Sequence, residues 1–295
     1  MSLKTDQLRY FVTVAEEGQI TRAAKRLYIA QPALSQAISQ LESDLDLTLL
    51  ERHPRGVRLT PAGETFLEKA RAVVDSEDEV RRTADSLARA AHGVLEIGFI
   101  GPPPPMVAPD LFRAFAAAHP EAEVCFRDLP FPRGATRTWL EPVDVAFCHP
   151  PSPEPGVQVH AVRREPRTVV AHRSHPLAGA RELEVAQVLE DTFISYHPDV
   201  QPEWAGFHSL DDHRGRPPRA VTEHHAATAL QILGMLGTPG SITTLPRTDA
   251  ELVGHVLPEM VAVPLTDAAP ATISLVWHAR EPHPLIAALV DVAGG

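Results

Sequence analysis

Glutamines and serines near the N-terminus are the residues best suited to chemistry by their type and spacing. They lie on one side of a helical projection, opposite apolar residues that recur at helical spacing. The polar positions are Gln31, Ser35, Gln36 and Ser39, and the apolar positions are Leu34, Ile38, Leu41 and Leu45. A glutamine amide can form two hydrogen bonds with an adenine edge, and a serine hydroxyl can bond several bases. A helix with such a face can read base pairs from the major groove of DNA.

Neighbouring elements must position this helix. Residues 21–27 have the pattern of a short helix, and a turn at residues 28–30 follows it. Pro32 then falls in the first turn of the next helix, where proline is tolerated. Two helices joined by such a turn predict a helix-turn-helix. Two strand-like runs around a Pro/Gly turn, residues 49–52 and 57–60, predict a β-wing behind it.

Further side chains of these elements can contact the rest of the duplex. Arg52 and Arg55 of the wing are placed to enter the minor groove, and Thr21 and Arg22 can contact phosphates. The predicted DNA-contacting residues are Thr21, Arg22, Gln31, Pro32, Ser35, Gln36, Ser39, Arg52 and Arg55.

A long helix follows the wing. Thr60 is a suitable N-cap and Pro61 a suitable first residue, and residues 64–92 contain neither glycine nor proline. Apolar residues alternate at steps of four and three, which is the heptad pattern of a helix that packs on another helix. The seam comprises Phe66, Ala70, Val73, Glu77, Val80, Ala84, Leu87 and Ala91. We expect this seam to join two chains, with Glu77 facing Arg81 or Arg82 of the partner subunit.

The net charge of −11 is unevenly distributed over the 295 residues. Residues 1–60 contain eight basic and seven acidic side chains, whereas residues 93–295 contain 14 arginines and 24 acidic side chains. Of the 29 prolines, 26 lie after residue 92, so we expect a domain boundary near Gly93. No apolar run approaches the ~20 residues of a membrane span, and no export signal is recognisable. We therefore expect a cytoplasmic protein that does not bind membranes.

After Gly93 the pattern changes to alternating strands and helices. Strands are predicted at residues 94–99, 123–129 and 143–148, with a helix at 106–118. This alternation predicts a mostly parallel sheet, and a second unit of the same kind follows. Parallel α/β units bind ligands at the carboxyl ends of their strands.

The segment from Leu8 to Leu67 resembles the N-terminal domain of LysR-type transcriptional regulators. The motifs that carry the resemblance are Ala23-Ala24, QPALS at Gln31–Ser35, Leu41-Glu42, Glu51-Arg52 and LTPAG at Leu59–Gly63. HPLA at His175–Ala178 is similar to a later motif of the family. The resemblance implies a multidomain α+β architecture: a winged helix-turn-helix (1–60), a linker helix (61–92) and a periplasmic-binding-protein-like α/β effector domain (93–295). Its two subdomains would comprise residues 93–162 with 267–295, and residues 163–266.

The same resemblance implies a sequence-specific transcriptional regulator and not an enzyme. It would bind an interrupted palindrome in double-stranded DNA as a homodimer or homotetramer, respond to a small-molecule effector and contact RNA polymerase. No cofactor is implied. One alternative stays open, a DNA-binding regulator with a vestigial effector cleft that acts by oligomerisation alone.

Several positions depart from the family pattern. Gln19 and Ala30 stand where serine often begins the second and third helices, and both are weaker N-caps. Asp46 replaces a common glycine at the end of the recognition helix, where a left-handed residue is expected. Gln36 stands where many relatives carry arginine or lysine, which predicts a preference for adenine at the base it contacts.

Two strand edges supply the candidate effector contacts. Residues 102–105 are all proline and offer no backbone N–H, so this edge is a poor anion site and predicts a stiff apolar wall. Residues 195–197, on the opposing edge, offer hydroxyls and an imidazole. The predicted effector contacts are Gly101, Pro102, Pro103, Phe131, His149, Ser195, Tyr196, His197 and Thr243. They predict a small apolar or aromatic effector with one polar end.

Other kinds of site have little support in the sequence. The 15 histidines show no HExxH spacing and the two cysteines form no cluster, so we expect no metal site. The strand order that the resemblance implies places Cys125 and Cys148 on either side of a central strand. Because neighbouring strands lie ~4.8 Å apart, that separation exceeds the ~7 Å limit for a disulfide. No nucleophile-elbow or phosphate-loop motif indicates catalysis.

Overall fold

The computed structural model describes residues 3–53, 56–149, 153–237, 239–279 and 283–294. The chain divides into two compact units, residues 1–85 and residues 86–295. Within the described ranges, no helix is both long enough and apolar enough to cross a membrane.

The first unit is a helical domain with a two-stranded wing. Its elements are α1 (Thr5–Glu17), α2 (Ile20–Arg26), α3 (Gln31–Leu45), β1 (Leu50–His53), β2 (Gly56–Leu59) and the part of α4 (Pro61–Ala91) up to residue 85. Phe11, Leu34 and Leu49 are fully buried in its core. The ring of Phe11 packs edge to face on Phe66 of α4, with 5.4 Å between their centroids. The predicted winged helix-turn-helix is confirmed.

The helix ends follow the sequence closely. Gln19 and Ala30 precede α2 and α3 without a side-chain hydrogen bond to the helix, as expected of weak N-caps. Asp46 ends α3 in the left-handed conformation, with a φ of 54°. Thr60 caps α4, because its hydroxyl oxygen accepts a hydrogen bond from the Gly63 N–H at 2.9 Å.

A single carboxylate attaches the wing to α3. Glu42 Oε1 accepts hydrogen bonds from the backbone N–H groups of Leu49, at 2.7 Å, and Leu50, at 3.0 Å. Gly63 at the start of α4 permits the same close approach, since a Cβ there would lie 2.1 Å from the Leu49 carbonyl oxygen. These residues fix where the wing stands beside α3.

Glu77, the acidic member of the seam on α4, has an intramolecular partner. Arg9 of α1 donates to Glu77 Oε2 at 3.1 Å and to both carboxylate oxygens of Asp78, at 2.6 and 3.0 Å. The hydrogen bonds with Asp78 are the main reason that the pKa of Arg9 is raised. Arg81 of the same chain also lies near Glu77, with 3.4 Å between its Nη2 and Glu77 Oε1. The contact of Glu77 with Arg81 or Arg82 of the partner subunit stays a prediction.

The second unit contains two five-stranded sheets. Its strands are β3 (Val94–Phe99), β4 (Glu123–Asp128), β5 (Val145–Cys148), β6 (Val157–Glu165), β7 (Arg167–His172), β8 (Phe193–Tyr196), β9 (Val221–Ala226), β10 (Ile242–Pro246), β11 (Met260–Pro264) and β12 (Ala271–His278). Its helices are α5 (Pro104–Val107), α6 (Pro109–Ala118), α7 (Thr136–Trp139), α8 (Val185–Val188), α9 (Pro202–Ser209), α10 (Asp211–Arg214), α11 (Ala229–Leu236), α12 (Arg247–Val256) and α13 (Pro284–Gly294), with a 3₁₀ helix at Pro176–Gly179.

Both sheets are mixed, whereas the alternation of strands and helices predicts mostly parallel ones. The first sheet has the order β4-β3-β5-β12-β6, with β3 parallel to β4 and β5 but β12 antiparallel to β5 and β6. The second has the order β11-β7-β10-β8-β9, with β8 parallel to β9 and β10 but β7 antiparallel to β10 and β11. The antiparallel strands are those next to the two passages of the chain between the sheets, where no crossover helix reverses the direction.

Three further predictions for this unit concern a helix, a domain boundary and the two cysteines. The helix predicted at 106–118 is interrupted at Ala108, because Pro109 disfavours a helical conformation at the residue before it. β6 continues through Glu165, so the chain changes sheet later than the predicted boundary at residue 162. Cys125 and Cys148 lie on β4 and β5, on either side of β3 as predicted, and both thiols are free.

A buried ion pair attaches the last turn of α4 to the first sheet. The carboxylate of Asp144 is fully buried and accepts hydrogen bonds from the Arg89 guanidinium, two of them at 3.0 Å. It also accepts one from the Glu96 N–H at 2.8 Å. Several charge-assisted hydrogen bonds thereby compensate the desolvation of the carboxylate.

We expect Glu42→Ala to lower the free energy of unfolding of the first unit by about 1–3 kcal/mol, because two backbone N–H groups lose a charged acceptor. Urea unfolding of the full chain, followed by circular dichroism, measures this change. Glu42→Gln is the matched control, since its amide oxygen can still accept, and it should cost less. Equal losses in the two variants would contradict the role of the carboxylate.

Candidate functional site

α3 presents its predicted polar face to solvent. Gln31, Pro32, Gln36 and Ser39 are exposed and Ser35 is half-buried. On the opposite side, the apolar residues Leu34, Ile38 and Leu41 are buried.

Arg52 of β1 joins this face from the wing. Its Nη2 donates a hydrogen bond to Ser35 Oγ at 3.1 Å, so helix and wing share one polar surface. That contact holds an exposed guanidinium beside the residues that can read bases.

The predicted phosphate contacts differ in how free their side chains are. Thr21 is exposed at the start of α2. Arg22 is also exposed, but it donates to the Glu17 backbone carbonyl, and its Nε lies 3.6 Å from the Glu17 carboxylate. Part of its charge is therefore compensated within the chain. Arg55 lies outside the described residues.

A cavity of about 430 Å³ opens in the second unit. Its wall is formed by residues 100–103 after β3, by His149 after β5, and by residues of α9, α11 and α12. Both sheets thus contribute to it. Most of the lining residues are apolar, and no lysine or arginine occurs among those that the described ranges contribute.

Five of the nine predicted effector contacts line this cavity. They are Gly101, Pro102, Pro103, Phe131 and His149. The last two prolines of the edge begin the short helix α5, and the first N–H after them, that of Met106, donates to the Pro103 carbonyl at 2.9 Å. This edge therefore forms an apolar wall without a free amide between residues 102 and 106.

The other four predicted contacts, Ser195, Tyr196, His197 and Thr243, are not among the lining residues. Ser195 Oγ lies 2.7 Å from His225 Nδ1. The hydroxyl oxygen of Tyr196 lies 3.2 Å from Thr243 Oγ1, and burial raises the pKa of this phenol. Ser195, Tyr196 and Thr243 thus bond other protein groups.

Four polar residues of the wall are missing from the sequence-based predictions: Asp128 of β4, Trp204 and His208 of α9, and Asp249 of α12. Neither helix was predicted. The apolar residues of α9 are spread around the helix, so it lacks the one-sided pattern that reveals helices in a sequence. Pro202 at the start of α9 and Pro246 before α12 are the signals that could have indicated both helices.

α9 is packed against the point where the chain first passes between the sheets. The ring of Phe207 stacks on His149, with 3.7 Å between centroids, and the Arg167 guanidinium lies 3.9 Å from the centre of the same ring. Arg167 in turn donates to both carboxylate oxygens of Asp212, each at 3.0 Å. His149 is thus fixed in the cavity wall by a stack that ends in the buried guanidinium of Arg167 and its exposed partner Asp212.

Both histidines of the wall are neutral. Burial lowers the pKa of His149 to about 4 and that of His208 to about 3. Nδ1 of His208 lies 2.7 Å from the Thr244 carbonyl oxygen, and Nδ1 of His149 lies 3.3 Å from that of Thr272. A carbonyl oxygen can only accept, so Nδ1 carries the proton in each ring and Nε2 is a hydrogen-bond acceptor.

Asp249 is the titratable carboxyl group of α12 in this wall. Burial, helped by the nearby Glu165 carboxylate, raises its pKa to about 7, while Arg163 acts in the opposite direction. Near neutral pH this carboxyl group is therefore protonated in a large fraction of molecules.

Comparison with known proteins assigns both units of the chain to domains of one protein family. The sequence profile described as "Bacterial regulatory helix-turn-helix protein, lysR family" matches residues 5–64, and that described as "LysR substrate binding domain" matches residues 88–294. The chain belongs to the LysR family. It is a DNA-binding transcriptional regulator of the LysR type with an effector-binding domain.

Full-length relatives support the assignment to the LysR family. The HTH-type transcriptional regulator TfdS of Cupriavidus pinatubonensis is 31% identical over 295 residues, which cover 97% of this chain and 96% of TfdS. Full-length CbnR, solved in complex with its target DNA, is 26% identical with a TM-score of 0.50, and 99% of each chain is covered. Full-length BenM is 25% identical with a TM-score of 0.52, covering 99% of this chain and 96% of BenM.

The raised pKa of Asp249 predicts a pH-dependent stability. The carboxyl group ionises near its ordinary value in the unfolded chain but only near pH 7 in the folded one, so the unfolded chain binds fewer protons between pH 4 and 7. The stability contributed by this residue should therefore fall as the pH rises through that range. Asp249→Asn removes the effect, so the melting temperature of the variant minus that of the wild type should increase from pH 4 to pH 8.

Thermal unfolding of the full chain at a series of pH values measures this difference. Asp110→Asn, at an exposed carboxylate of α6, is the matched control. If the difference for Asp249→Asn varies with pH no more than that of the control, the assigned pKa is wrong.

Proposed function

We propose that this regulator binds an interrupted palindrome in DNA as a homodimer or homotetramer, in the cytoplasm, and contacts RNA polymerase. We further propose that a small apolar or aromatic molecule with one polar end binds in the cavity and changes the affinity for DNA or the bending of DNA. The observation that carries the first part is the exposed polar face of α3, with Arg52 of the wing bonded to Ser35 beside it.

An exposed apolar stripe on α4 supports the assembly. Val73, Val80 and Leu87 follow one another at intervals of seven residues and are 47%, 70% and 51% exposed. Water contact with such a stripe is unfavourable, and the same seam of a second copy would cover it. Two copies related by twofold symmetry present two α3 helices, which is the arrangement that a palindrome requires.

The lining of the cavity supports an effector of the proposed kind. Its volume of about 430 Å³ lies within the range of small-molecule sites, and its wall is mostly apolar with a few polar groups. Protein interiors are otherwise closely packed, so a space of this size favours a site that is used over a vestigial cleft.

Base reading by α3 predicts a loss that depends on sequence. Gln36→Ala should weaken binding to the palindrome by about fivefold to 150-fold, which corresponds to ~1–3 kcal/mol, because two hydrogen bonds to one base are lost. Affinity for random duplex DNA should stay nearly unchanged. Fluorescence anisotropy with both duplexes at one fixed salt concentration measures this.

Arg22→Ala is the control for this experiment, since a phosphate contact carries no sequence information and its loss should weaken both duplexes alike. Equal losses on the two duplexes for Gln36→Ala would refute the base-reading role of this residue.

The α4 seam predicts a change in assembly. Val80→Asp places a charge in the middle of the apolar stripe and should dissociate the dimer, since an unpaired buried carboxylate is strongly unfavourable. Sedimentation velocity of the full chain measures the assembly state. Ala72→Asp, at an exposed position of the same helix outside the seam, should leave it intact. An intact dimer for Val80→Asp would contradict the assignment of this seam to the interface between subunits.

A further inference from the structure

One face of α12 forms a side of the cavity wall. The residues on this face that line the cavity are Pro246, Asp249, Leu252, Val253 and Val256. Residues three and four apart lie on the same side of a helix, so Asp249 stands within this lining face, with apolar neighbours before and after it. Its side chain is therefore directed to the cavity.

The carboxyl group of Asp249 is accessible and has unmet hydrogen-bonding capacity. Asp249 is half-buried, and within the described ranges no donor bonds its carboxyl group. Neither oxygen is among the fully enclosed polar atoms without a partner in that part of the chain, so both keep accessible surface. A polar group that is partly removed from water without a partner costs free energy, so a ligand that donates to it is stabilised.

The charged groups around Asp249 leave its negative charge uncompensated. Glu165 of β6 acts on it as a second carboxylate. Arg163, on the same strand, is itself paired with Glu165, with 2.7 Å between Nε and Oε1. The other titratable residues of the wall are Asp128, His149 and His208. Both histidines are neutral, and the described ranges contribute no lysine or arginine to the wall, so a cation is the charge that this site lacks.

The charge of the surrounding domain favours the same kind of ligand. Residues 93–295 contain 14 arginines against 24 acidic side chains. A cleft with walls of low dielectric and one sign of charge attracts ligands of the opposite sign. An anion would instead meet two carboxyl groups and the prolines of residues 102–105, which offer no N–H.

We propose that the cavity selects a hydrophobic organic cation, an apolar or aromatic molecule whose polar end is a protonated amine that pairs with the carboxylate of Asp249. This inference rests on the proposed function of the cavity as the effector site. An ammonium group donates hydrogen bonds and carries the charge opposite to that of the carboxylate. The apolar body of the ligand lies against the apolar residues of α12 and the proline edge. A carboxylate of the same shape supplies neither the donor nor the charge.

Binding of such a cation is coupled to the ionisation of Asp249. With a pKa of about 7, this carboxyl group is mostly protonated at pH 6 and mostly ionised at pH 8. A bound cation favours the ionised form, so the ligand binds to the fraction of molecules in which Asp249 is charged. That fraction rises about tenfold from pH 6 to pH 8, and the affinity for the cation should rise with it. An uncharged analogue should not show this increase.

Matched aromatic probes test this selectivity on the full chain. We expect 2-naphthylmethylamine to bind at least about tenfold more tightly than 2-naphthylmethanol or 2-naphthoate at pH 8, as measured by isothermal titration calorimetry. The three probes share one aromatic body and differ in the charge of the polar end. Repeating the titrations at pH 6, where the amine is also protonated, measures the coupling to Asp249.

Asp249→Asn separates the charge from the shape of the site. It keeps the size of the side chain and removes the ionisable group, so 2-naphthylmethylamine should lose most of its advantage over 2-naphthylmethanol and its dependence on pH. The alcohol should bind about as before. Asp110→Asn on α6, an exposed carboxylate outside the cavity wall, is the matched control and should change neither affinity. Melting temperatures of both variants show whether the chain remains folded.

Several outcomes would overturn the proposal: tighter binding of 2-naphthoate or 2-naphthylmethanol than of the amine, an amine affinity that does not rise from pH 6 to pH 8, an unchanged preference in Asp249→Asn, or no binding of the amine up to about 1 mM. A DNase footprint on the palindrome, with and without 2-naphthylmethylamine, tests the proposed function separately. Binding of the amine without a change in the footprint would contradict the regulatory role and leave the charge selectivity standing. A footprint altered by 2-naphthoate alone would do the reverse.

Discussion

The buried guanidinium of Arg167 is the constraint on which the effector-binding unit depends. Arg167 begins β7, directly after the chain leaves the first sheet, and is 1% exposed. Besides its ion pair with Asp212 and its contact with the Phe207 ring, its backbone carbonyl accepts a hydrogen bond from the Leu265 N–H at 2.9 Å, where the chain turns back. Both passages between the sheets thus meet at one residue. The guanidinium is 2% exposed, whereas the Asp212 side chain is 43% exposed, so loss of Asp212 would leave a buried charge without its partner.

The junction of the two sheets at Arg167 also explains where the cavity lies and which polar groups line it. Through Phe207, Arg167 fixes α9 and the ring of His149, and α9 carries Trp204 and His208 into the wall. The polar groups of the cavity therefore stand on a helix that is packed against the junction. A change in the relation of the two sheets would move this wall, which gives a physical route from a bound ligand to the rest of the chain.

The sequence predicts those parts of the fold and of the site that depend on residues close together in the chain. The Thr60 cap, the left-handed Asp46 and the polar face of α3 each depend on residues within a few positions of one another. Partnerships between distant positions were not predictable in this way: Arg9 with Glu77 and Asp78, or Tyr196 with Thr243. The same holds for the cavity, because α9 has no one-sided apolar pattern and the role of His208 depends on a carbonyl 36 residues away.

Selection of DNA from a random duplex pool by the full chain, followed by sequencing, tests the central claim most directly. We expect one interrupted palindrome to be enriched, with inverted half-sites whose centres lie about one helical turn, ~10 base pairs, or a multiple of it apart. Enriched DNA with no shared sequence, or with a single half-site that lacks its inverted copy, would contradict a symmetric regulator that reads DNA through α3.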